Sequence, residues 1–281
     1  MKSIILILAV LISAPVIAAS PLKSSFSVGT PDVKSMGTMT FAPEGVLLIG
    51  DSQSGAVFAI EMVDEEPDQN AQAIEVSGID RKIAAMLGTT AEDIQILDMD
   101  VNQSSQNVYL SVSRAGVDLL LRVNRAGEIN EVTLRNVNYA SKALRSAVSM
   151  DAKSSRGQSL RSEAITDLVY SDGSIYVAGL SNEEFASTLR TMSFPFDETE
   201  AATSIEIYHA AHQQYETHAP IRTLTAYTLN QKPHVLASYT CTPLVTFPVE
   251  KLENGMHLMG KTVAEFGSGN RPLDMIVYQN D

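Results

Sequence analysis

The sequence lacks tryptophan altogether, contains a single cysteine, Cys241, and has only five histidines. A chain with one cysteine cannot form an internal disulfide, so its stability depends on a packed core. With 281 residues, of which 44% are hydrophobic, the chain is long enough to build such a core. We therefore expect a globular domain that is not held together by disulfides.

Basic residues are also scarce, since 20 lysines and arginines face 33 aspartates and glutamates and leave a net charge of −13. A surface of this sign repels phosphate backbones and anionic headgroups. The composition therefore argues against a nucleic-acid partner and leaves a small molecule or a protein as the partner.

Long hydrophobic runs are absent except at the N-terminus. There, Lys2 precedes an apolar run over 4–17, and small residues follow at 18–20. The run is shorter than the ~20 residues that a membrane span needs, and its layout is typical of a cleaved secretory signal peptide over 1–19. A retained anchor is the alternative. We expect the mature chain, 20–281, to be secreted or periplasmic, without stable membrane insertion.

Catalytic motifs are absent as well. The sequence contains no GxSxG nucleophile elbow, and its GSGN segment at 267–270 lacks the strand-to-helix setting of a nucleotide-binding loop. The sequence therefore indicates no nucleophilic or nucleotide-dependent catalysis.

An internal repeat is the most informative pattern that is present. Four segments, aligned at Val46, Val108, Ile175 and Val235, each contain a β-branched and aromatic run, a polar break and a second such run. Another strand-like run that ends in a turn precedes each pair. The repeat length is about 60 residues, which leaves room for a fourth strand in each unit.

Four antiparallel strands per unit, repeated in this way, predict an all-β fold and specifically a β-propeller of four-stranded blades. Outer fourth strands are expected within 129–137 and 260–267. The segment 139–164 is predicted to be an exposed insertion with some helix. A β-sandwich is the alternative fold, because it also has short strands joined by turns.

The repeats lie within one domain, near 36–95, 96–160, 161–222 and 223–270, and a further repeat begins at 271–281. An arc of four to five blades would expose strand edges, so we expect an incomplete portion of a larger ring of six to eight blades. A closed ring of four blades is the alternative.

The blade pattern resembles the NHL and YVTN-type β-propellers. The segments IYHAAHQQYETHAPIRTLTAY, ASYTCTPLVTFPVEKL and RPLDMIVYQND are similar to segments of a group of exported bacterial propeller-like proteins. The resemblance covers about 36–281 and implies a propeller fold and export, but no catalytic residues. The lack of tryptophan departs from the quinoprotein dehydrogenase propellers, which use repeated tryptophan-docking motifs.

The histidines form the first candidate site, because all five fall between 209 and 257. In a short helix, His209 and His212 would share one face with Glu216, and two imidazoles with a carboxylate suit zinc or another transition metal. His218 or His234 would supply a further ligand. In a strand, His209 and His212 would face opposite ways and the site would be lost. Surface exposure or a hydrogen-bonding role is the alternative.

A second candidate consists of Asp98, Asp167 and Asp274, which occupy the same position in LDM, TDL and LDM. The first strand of a propeller blade lines the central channel, so these carboxylates would form a ring able to hold Ca²⁺. Alternatively, each accepts backbone N–H bonds from a neighbouring blade and fixes the registry between blades. Cys241 is either a buried, inert thiol or part of a Cys/His metal or redox site.

Three functions are consistent with these features. The first is an exported propeller that binds a ligand or a protein on one face, and the second is a metal-dependent hydrolase or oxidoreductase that uses the histidine-rich loop. The third is a structural or assembly role. The enzyme requires His209, His212 and Glu216 to meet in one pocket, with Asp167 or His234 as an optional further member. The binding module has no such requirement, and we favour it.

Overall fold

The structure is a computed structural model that describes residues 20–64, 73–210, 212–241 and 243–278. The predicted signal peptide, 1–19, lies outside the described residues. Within the described ranges, no helix is long and apolar enough to cross a membrane.

Strands dominate the part of the chain that the structure describes. In chain order they are β1 (Ser27–Gly29), β2 (Thr38–Ala42), β3 (Val46–Asp51), β4 (Ala56–Glu61), β5 (Ile94–Val101), β6 (Val108–Arg114), β7 (Val117–Val123), β8 (Ile129–Glu131), β9 (Val137–Ala143), β10 (Asp167–Ser171), β11 (Ser174–Leu180), β12 (Ser187–Ser193), β13 (Glu200–His209), β14 (Gln214–Glu216), β15 (Thr223–Leu229), β16 (Lys232–Ser238), β17 (Leu244–Pro248), β18 (His257–Met259) and β19 (Lys261–Ala264). The helical elements are α1 (Ile79–Leu87) and short 3-10 turns at Pro21–Lys23, Ala91–Asp93, Arg161–Glu163 and Val249–Lys251.

These strands form four sheets. The first runs outward from β2 through β3, β4 and β9 to β1, and the second from β5 through β6 and β7 to β8. The third runs from β10 through β11, β12 and β13 to β14, and the fourth from β15 through β16 and β17 to β19. Neighbouring strands are antiparallel, except that β18 pairs with β13 in parallel.

Tight turns explain why the local sequence forms hairpins. The two-residue turns at 115–116, 172–173 and 230–231 join β6 to β7, β10 to β11 and β15 to β16, and both residues of each turn have positive φ. Two positive φ values are typical of type I′ turns, whose twist matches that of the flanking strands. Glycine, aspartate and asparagine supply most of these positions because they tolerate the left-handed region.

The innermost strands of the four sheets lie side by side. β2 packs between β5 and β10, and β15 packs on the other side of β10. The sheets therefore follow each other in space in the order second, first, third, fourth. Radial sheets whose first strands meet at the centre are the arrangement of propeller blades and not of a two-sheet sandwich.

Apolar side chains fill the spaces between adjacent sheets. Met39 and Tyr109 belong to the cluster between the first and second sheets, and Leu48 and Val177 to the cluster between the first and third. A further cluster joins the third and fourth sheets. Helix α1 contributes Ile83 to a cluster that covers the remaining face of the second sheet. Burial of these faces is what holds the blades together.

The four aligned residues occupy equivalent positions in the structure. Val46, Val108, Ile175 and Val235 all lie on the second strand of their sheets, and the expected outer strands are present as β8 and β19. The prediction of an exposed insertion over 139–164 is wrong at its start, because Val137–Ala143 forms β9 and pairs with β4 and β1.

β9 follows the second sheet in the chain but completes the first. The second sheet is thus inserted between two strands of the first, which accounts for the spatial order of the sheets. Residues 271–278, expected to begin a further repeat, contain no strand. The number of blades in the complete ring stays a prediction.

Candidate metal-binding hairpin

The histidine-rich segment forms a β-hairpin. β13 ends at His209, the chain turns through Gln213, which has a φ of 53°, and β14 returns antiparallel to β13. Gln213 N–H donates to the Ala210 carbonyl oxygen at 3.2 Å and closes the turn. Of the two conformations considered for this segment, a short helix or a strand, the structure shows neither over its full length, since His212 lies in the turn of a hairpin.

The hairpin brings three of the predicted ligands together by a different route. Ile207 pairs directly with Glu216, so Glu216 lies on the face of the hairpin that His209 also shares. His212 lies in the turn, where strand alternation does not apply. Its Nδ1 lies 2.6 Å from Glu216 Oε1, and His209 Nδ1 lies 2.8 Å from Glu216 Oε2. The carboxylate thus bridges the two imidazoles.

Burial differs sharply within this trio. The His209 residue is 4% exposed, whereas the His212 side chain is 53% exposed. His209 Nε2 is buried and has no hydrogen-bond partner among the described residues. Burial by itself would raise the pKa of Glu216, but the hydrogen bonds from His209 and His212 outweigh it and hold that pKa below its usual value. The trio is therefore anchored on one side and open to solvent on the other.

The donor set fits a transition metal. One ligand atom from each of the three side chains lies within 4.8 Å of the other two, the one such group of three or more His, Cys, Asp or Glu residues within the described ranges. Imidazole nitrogens and a carboxylate oxygen coordinate zinc at about 2.0–2.2 Å. An ion among the three side chains would take the place of the imidazole–carboxylate hydrogen bonds. Three protein ligands leave a fourth position open.

The other two predicted histidine ligands lie outside this trio. His218 is exposed, and its Nδ1 lies 3.0 Å from Thr217 Oγ1. His234 lies on β16 in the fourth sheet, and its Nδ1 is 3.0 Å from the Lys232 carbonyl oxygen. The structure therefore brings together His209, His212 and Glu216 without either of them.

The predicted channel aspartates connect neighbouring sheets. Asp98 on β5 accepts a bond from the Met39 backbone N–H of β2 at 2.6 Å. Asp167 on β10 accepts one from the Leu224 N–H of β15 at 2.6 Å and one from the Thr38 hydroxyl at 3.0 Å. These contacts place both carboxylates at the inner strands, where they tie one blade to the next.

Burial shifts the acidity of these carboxyls. Desolvation raises the pKa of Asp98 to about 6 and that of Asp167 to about 7, against the opposing effect of their hydrogen bonds. The charge of Asp274 adds to the increase for Asp98, and the charge of Asp98 adds to that for Asp167. The three aspartates are thus electrostatically coupled.

Asp274 lies in the strandless segment 271–278 but repeats a local contact of the other two. Its Oδ1 accepts the N–H of the next residue, Met275, at 2.6 Å, as Asp98 does with Met99 at 2.8 Å. Sequence reasoning missed Asp100, which accepts the Phe41 N–H at 2.7 Å. Its place two residues after Asp98 on the same strand was the available signal.

Cys241 lies in the turn between β16 and β17. It is half-buried and has a φ of 67°. Its backbone N–H donates to the Asn270 carbonyl oxygen at 2.8 Å, and the Gly269 N–H points at its sulfur at 3.5 Å. The thiol is free and is not part of the histidine trio.

Comparison with known proteins adds little to this geometry. No protein-family model matches the chain, and no curated protein matches it. One similar solved structure is a streptogramin B lyase, with 10% identity and a TM-score of 0.17 over 80% of this chain and 58% of that chain. Another is virginiamycin B lyase from Staphylococcus aureus, with 11% identity and a TM-score of 0.18 over 80% of this chain and 61% of that chain.

This chain thus spans about three fifths of the length of those two solved structures. TM-scores at this level carry no argument about activity. The assignment of a propeller-type fold rests on the four radial sheets.

Proposed function

We propose that this protein is an exported β-propeller binding module whose histidine hairpin binds a transition-metal ion, with zinc as the reference ion. The observation that carries the proposal is the convergence of two imidazoles on one carboxylate at the tip of β13 and β14. The N-terminal sequence supports export, and the donor set supports zinc.

The distribution of exposure supports a binding role. Buried His209 and half-buried Glu216 hold fixed positions in the sheet, so they lose little side-chain freedom when they bind an ion. Exposed His212 provides access from solvent. With a fourth position open, a donor group of a small molecule or a protein is able to complete the coordination.

The position of the trio favours a binding module over an enzyme. Glu216 is itself a candidate ligand, and Asp167 lies on the innermost strand β10, separated from β13 by β11 and β12. A hydrolase needs a base beside the metal-bound water in addition to the ligands. A metal-dependent hydrolase is a second candidate, because three ligands and an open position are also typical of catalytic zinc sites.

Metal content and zinc titration of the purified chain test this proposal. We expect about one zinc ion per chain and saturable binding of Zn²⁺ by calorimetry. His212→Ala removes a candidate ligand on the surface and is expected to weaken zinc binding at least about tenfold. Even the loss of a residue that only hydrogen-bonds to a metal ligand commonly lowers metal affinity by that factor. His218→Ala, which removes an exposed histidine outside the trio, is the matched control and is expected to bind zinc like the wild type.

Two results would contradict the proposal. One is a chain that stays free of metal when Zn²⁺ is supplied, and the other is an equal loss of affinity in His218→Ala. If the chain binds no metal when Zn²⁺ is supplied, and Glu216→Gln lowers its melting temperature, the trio has a structural role instead.

A further inference from the structure

A cavity of about 390 Å³ lies at the outer part of the third sheet, separate from the hairpin. Thr188 and Ser204, which face each other across β12 and β13, line it from the sheet. Arg145, which follows β9, and Asn254, which precedes β18, line its sides. Its volume is within the range that holds a small organic molecule.

Two arginines are among the residues that line this cavity. Arg190 on β12 is fully buried, and its Nε and Nη1 have no hydrogen-bond partner among the described residues. Its contacts are a 3.4 Å bond from Nη2 to the Leu180 carbonyl oxygen and a 3.7 Å approach to Glu200. Arg145 is exposed, and its Nη2 donates to the Glu198 carbonyl oxygen.

A buried guanidinium with unused N–H groups is costly unless an acceptor reaches it. Burial lowers the pKa of Arg190 to about 10, so it still carries its charge at neutral pH. The buried carboxylate of Glu200 already offsets part of the Arg190 charge, so a ligand carboxylate in the cavity would bind chiefly to the exposed Arg145 side chain and to Arg190 N–H groups that have no acceptor. Arginine suits this task because its planar donors match a carboxylate.

The rim of the same cavity has the opposite charge. Glu183 and Glu184 lie in the turn between β11 and β12, and both are exposed. Phe185 follows them, lines the cavity and is 38% exposed, with its ring 4.5 Å from that of His257. A simple anion would be repelled by this rim, whereas a molecule that also carries an ammonium group would be attracted.

We propose that this cavity binds a free α-amino acid with an apolar or aromatic side chain. Its carboxylate lies toward Arg145 and Arg190, its ammonium group toward Glu183 and Glu184, and its side chain against Phe185. This site is independent of the histidine hairpin and does not need a metal.

Calorimetry of the full mature chain with three related probes tests the proposal. L-phenylalanine carries both charges, 3-phenylpropanoate lacks the ammonium group and phenethylamine lacks the carboxylate. We expect saturable binding of L-phenylalanine and at least about tenfold weaker binding of each of the other two, which corresponds to about 1.4 kcal/mol. The titration is carried out with a chelator present, so that its result does not depend on the hairpin.

Variants of exposed residues locate the site without disturbing the core. Arg145→Gln is expected to weaken binding of L-phenylalanine at least about tenfold. Arg135→Gln removes an equally exposed guanidinium elsewhere and is the matched control, with unchanged affinity expected. Glu183→Gln combined with Glu184→Gln is expected to reduce the preference for L-phenylalanine over 3-phenylpropanoate.

Three outcomes would overturn the proposal. They are no binding of L-phenylalanine up to about 10 mM, equal binding of all three probes, and equal effects of Arg145→Gln and Arg135→Gln.

Discussion

Gly179 shows how closely single residues pack at the inner part of the third sheet. A Cβ atom at this position would lie 2.1 Å from the Ala164 carbonyl oxygen and 2.6 Å from its carbonyl carbon. Both atoms belong to the backbone, so no side-chain rotation relieves the clash. Glycine is required here for close approach and not for an unusual φ.

Gly179→Ala is therefore expected to destabilise the fold by about 2–3 kcal/mol, because the added methyl group must displace backbone. Gly37→Ala is the matched control, since a Cβ there meets no atom within 4 Å, and it is expected to change stability by less than about 0.5 kcal/mol. Chemical denaturation of both variants measures the difference. Equal stabilities would contradict the packing at Gly179.

The aspartates show how far residue-level prediction reaches. Asp98 and Asp167 stand out in the sequence because they occupy matching positions in two repeats. The sequence left open whether these aspartates hold Ca²⁺ or accept backbone N–H groups from a neighbouring blade. The donors, Met39 and Leu224, lie 59 and 57 positions away in the chain, so local patterns did not identify them. A residue's place in its strand follows from the local pattern, whereas its partner on another strand does not.

At the scale of the element, the hairpin of β13 and β14 carries the proposed metal site. Its turn contains Gln213 in the left-handed region, which costs a non-glycine residue about 1–2 kcal/mol. His209, His212 and Glu216 meet only when this turn is closed. The local conformation at one residue thus controls the geometry of three ligands.

A pair of substitutions at Gln213 tests this dependence. Gln213→Pro is expected to abolish zinc binding, because proline cannot adopt a positive φ and lacks the N–H that bonds to Ala210. Gln213→Gly keeps the turn and is expected to retain zinc binding within about threefold, since glycine adopts positive φ freely. Calorimetry with Zn²⁺ and circular dichroism of both variants provide the measurement. Zinc affinity that survives in a folded Gln213→Pro variant would disprove the role of the turn.

Sequence reasoning identified the three candidate ligands of this element but linked their convergence to a helix and expected a strand to separate them. The spacing of His209, His212 and Glu216 matches a helical face, and a helix would bring them together. The observed hairpin does so through the register of Ile207 with Glu216 and through the turn. The spacing is compatible with both conformations. Pairing with β18 and then with β14, beyond the end of the pairing with β12, continues the strand β13 up to His209.

At the scale of the whole molecule, the inner strands place several carboxyls in a dry environment. Burial raises the pKa of Asp98 and of Asp167, to about 6 and about 7, and also raises that of Asp100. The folded state therefore holds protons that the unfolded state releases at the same pH. These carboxyls contribute stability below the unfolded pKa near 3.8, and that stability is lost as the pH rises through the folded pKa values.

We accordingly expect the melting temperature to fall between about pH 5 and pH 8, with a contribution from these groups on the order of a few kcal/mol. Asp98→Asn removes one such group and is expected to flatten the dependence, whereas Asp151→Asn, at an exposed position, is expected to preserve it. The pH range of the measurement ends near pH 5 for a reason. Carboxyls such as Asp51 have a pKa that hydrogen bonds lower against the effect of burial. The stability that these carboxylates contribute is lost as the pH falls below that range. Equal slopes for both variants would rule out Asp98 as a contributor.

The order of the sheets is also a property of the whole molecule. The repeats occur in the chain as first, second, third and fourth, but the second sheet packs on the side of the first that is opposite the third. This order depends on β9, which returns after the second sheet to pair with β4. Its sequence, VNYASKA, has only one β-branched residue and resembles a loop, so its place in the sheet was not evident locally.

The amino-acid sequence alone determined the strand content, the four repeats and the main members of the candidate metal site. These features depend on side-chain patterns and turn residues, which act over a few positions of the chain. Only the tertiary structure decided the order of the blades, the convergence of the ligands in a hairpin and the cavity with Arg190. Each of these depends on pairing or packing between segments that are distant in the chain, and local patterns do not specify which partner a strand finds.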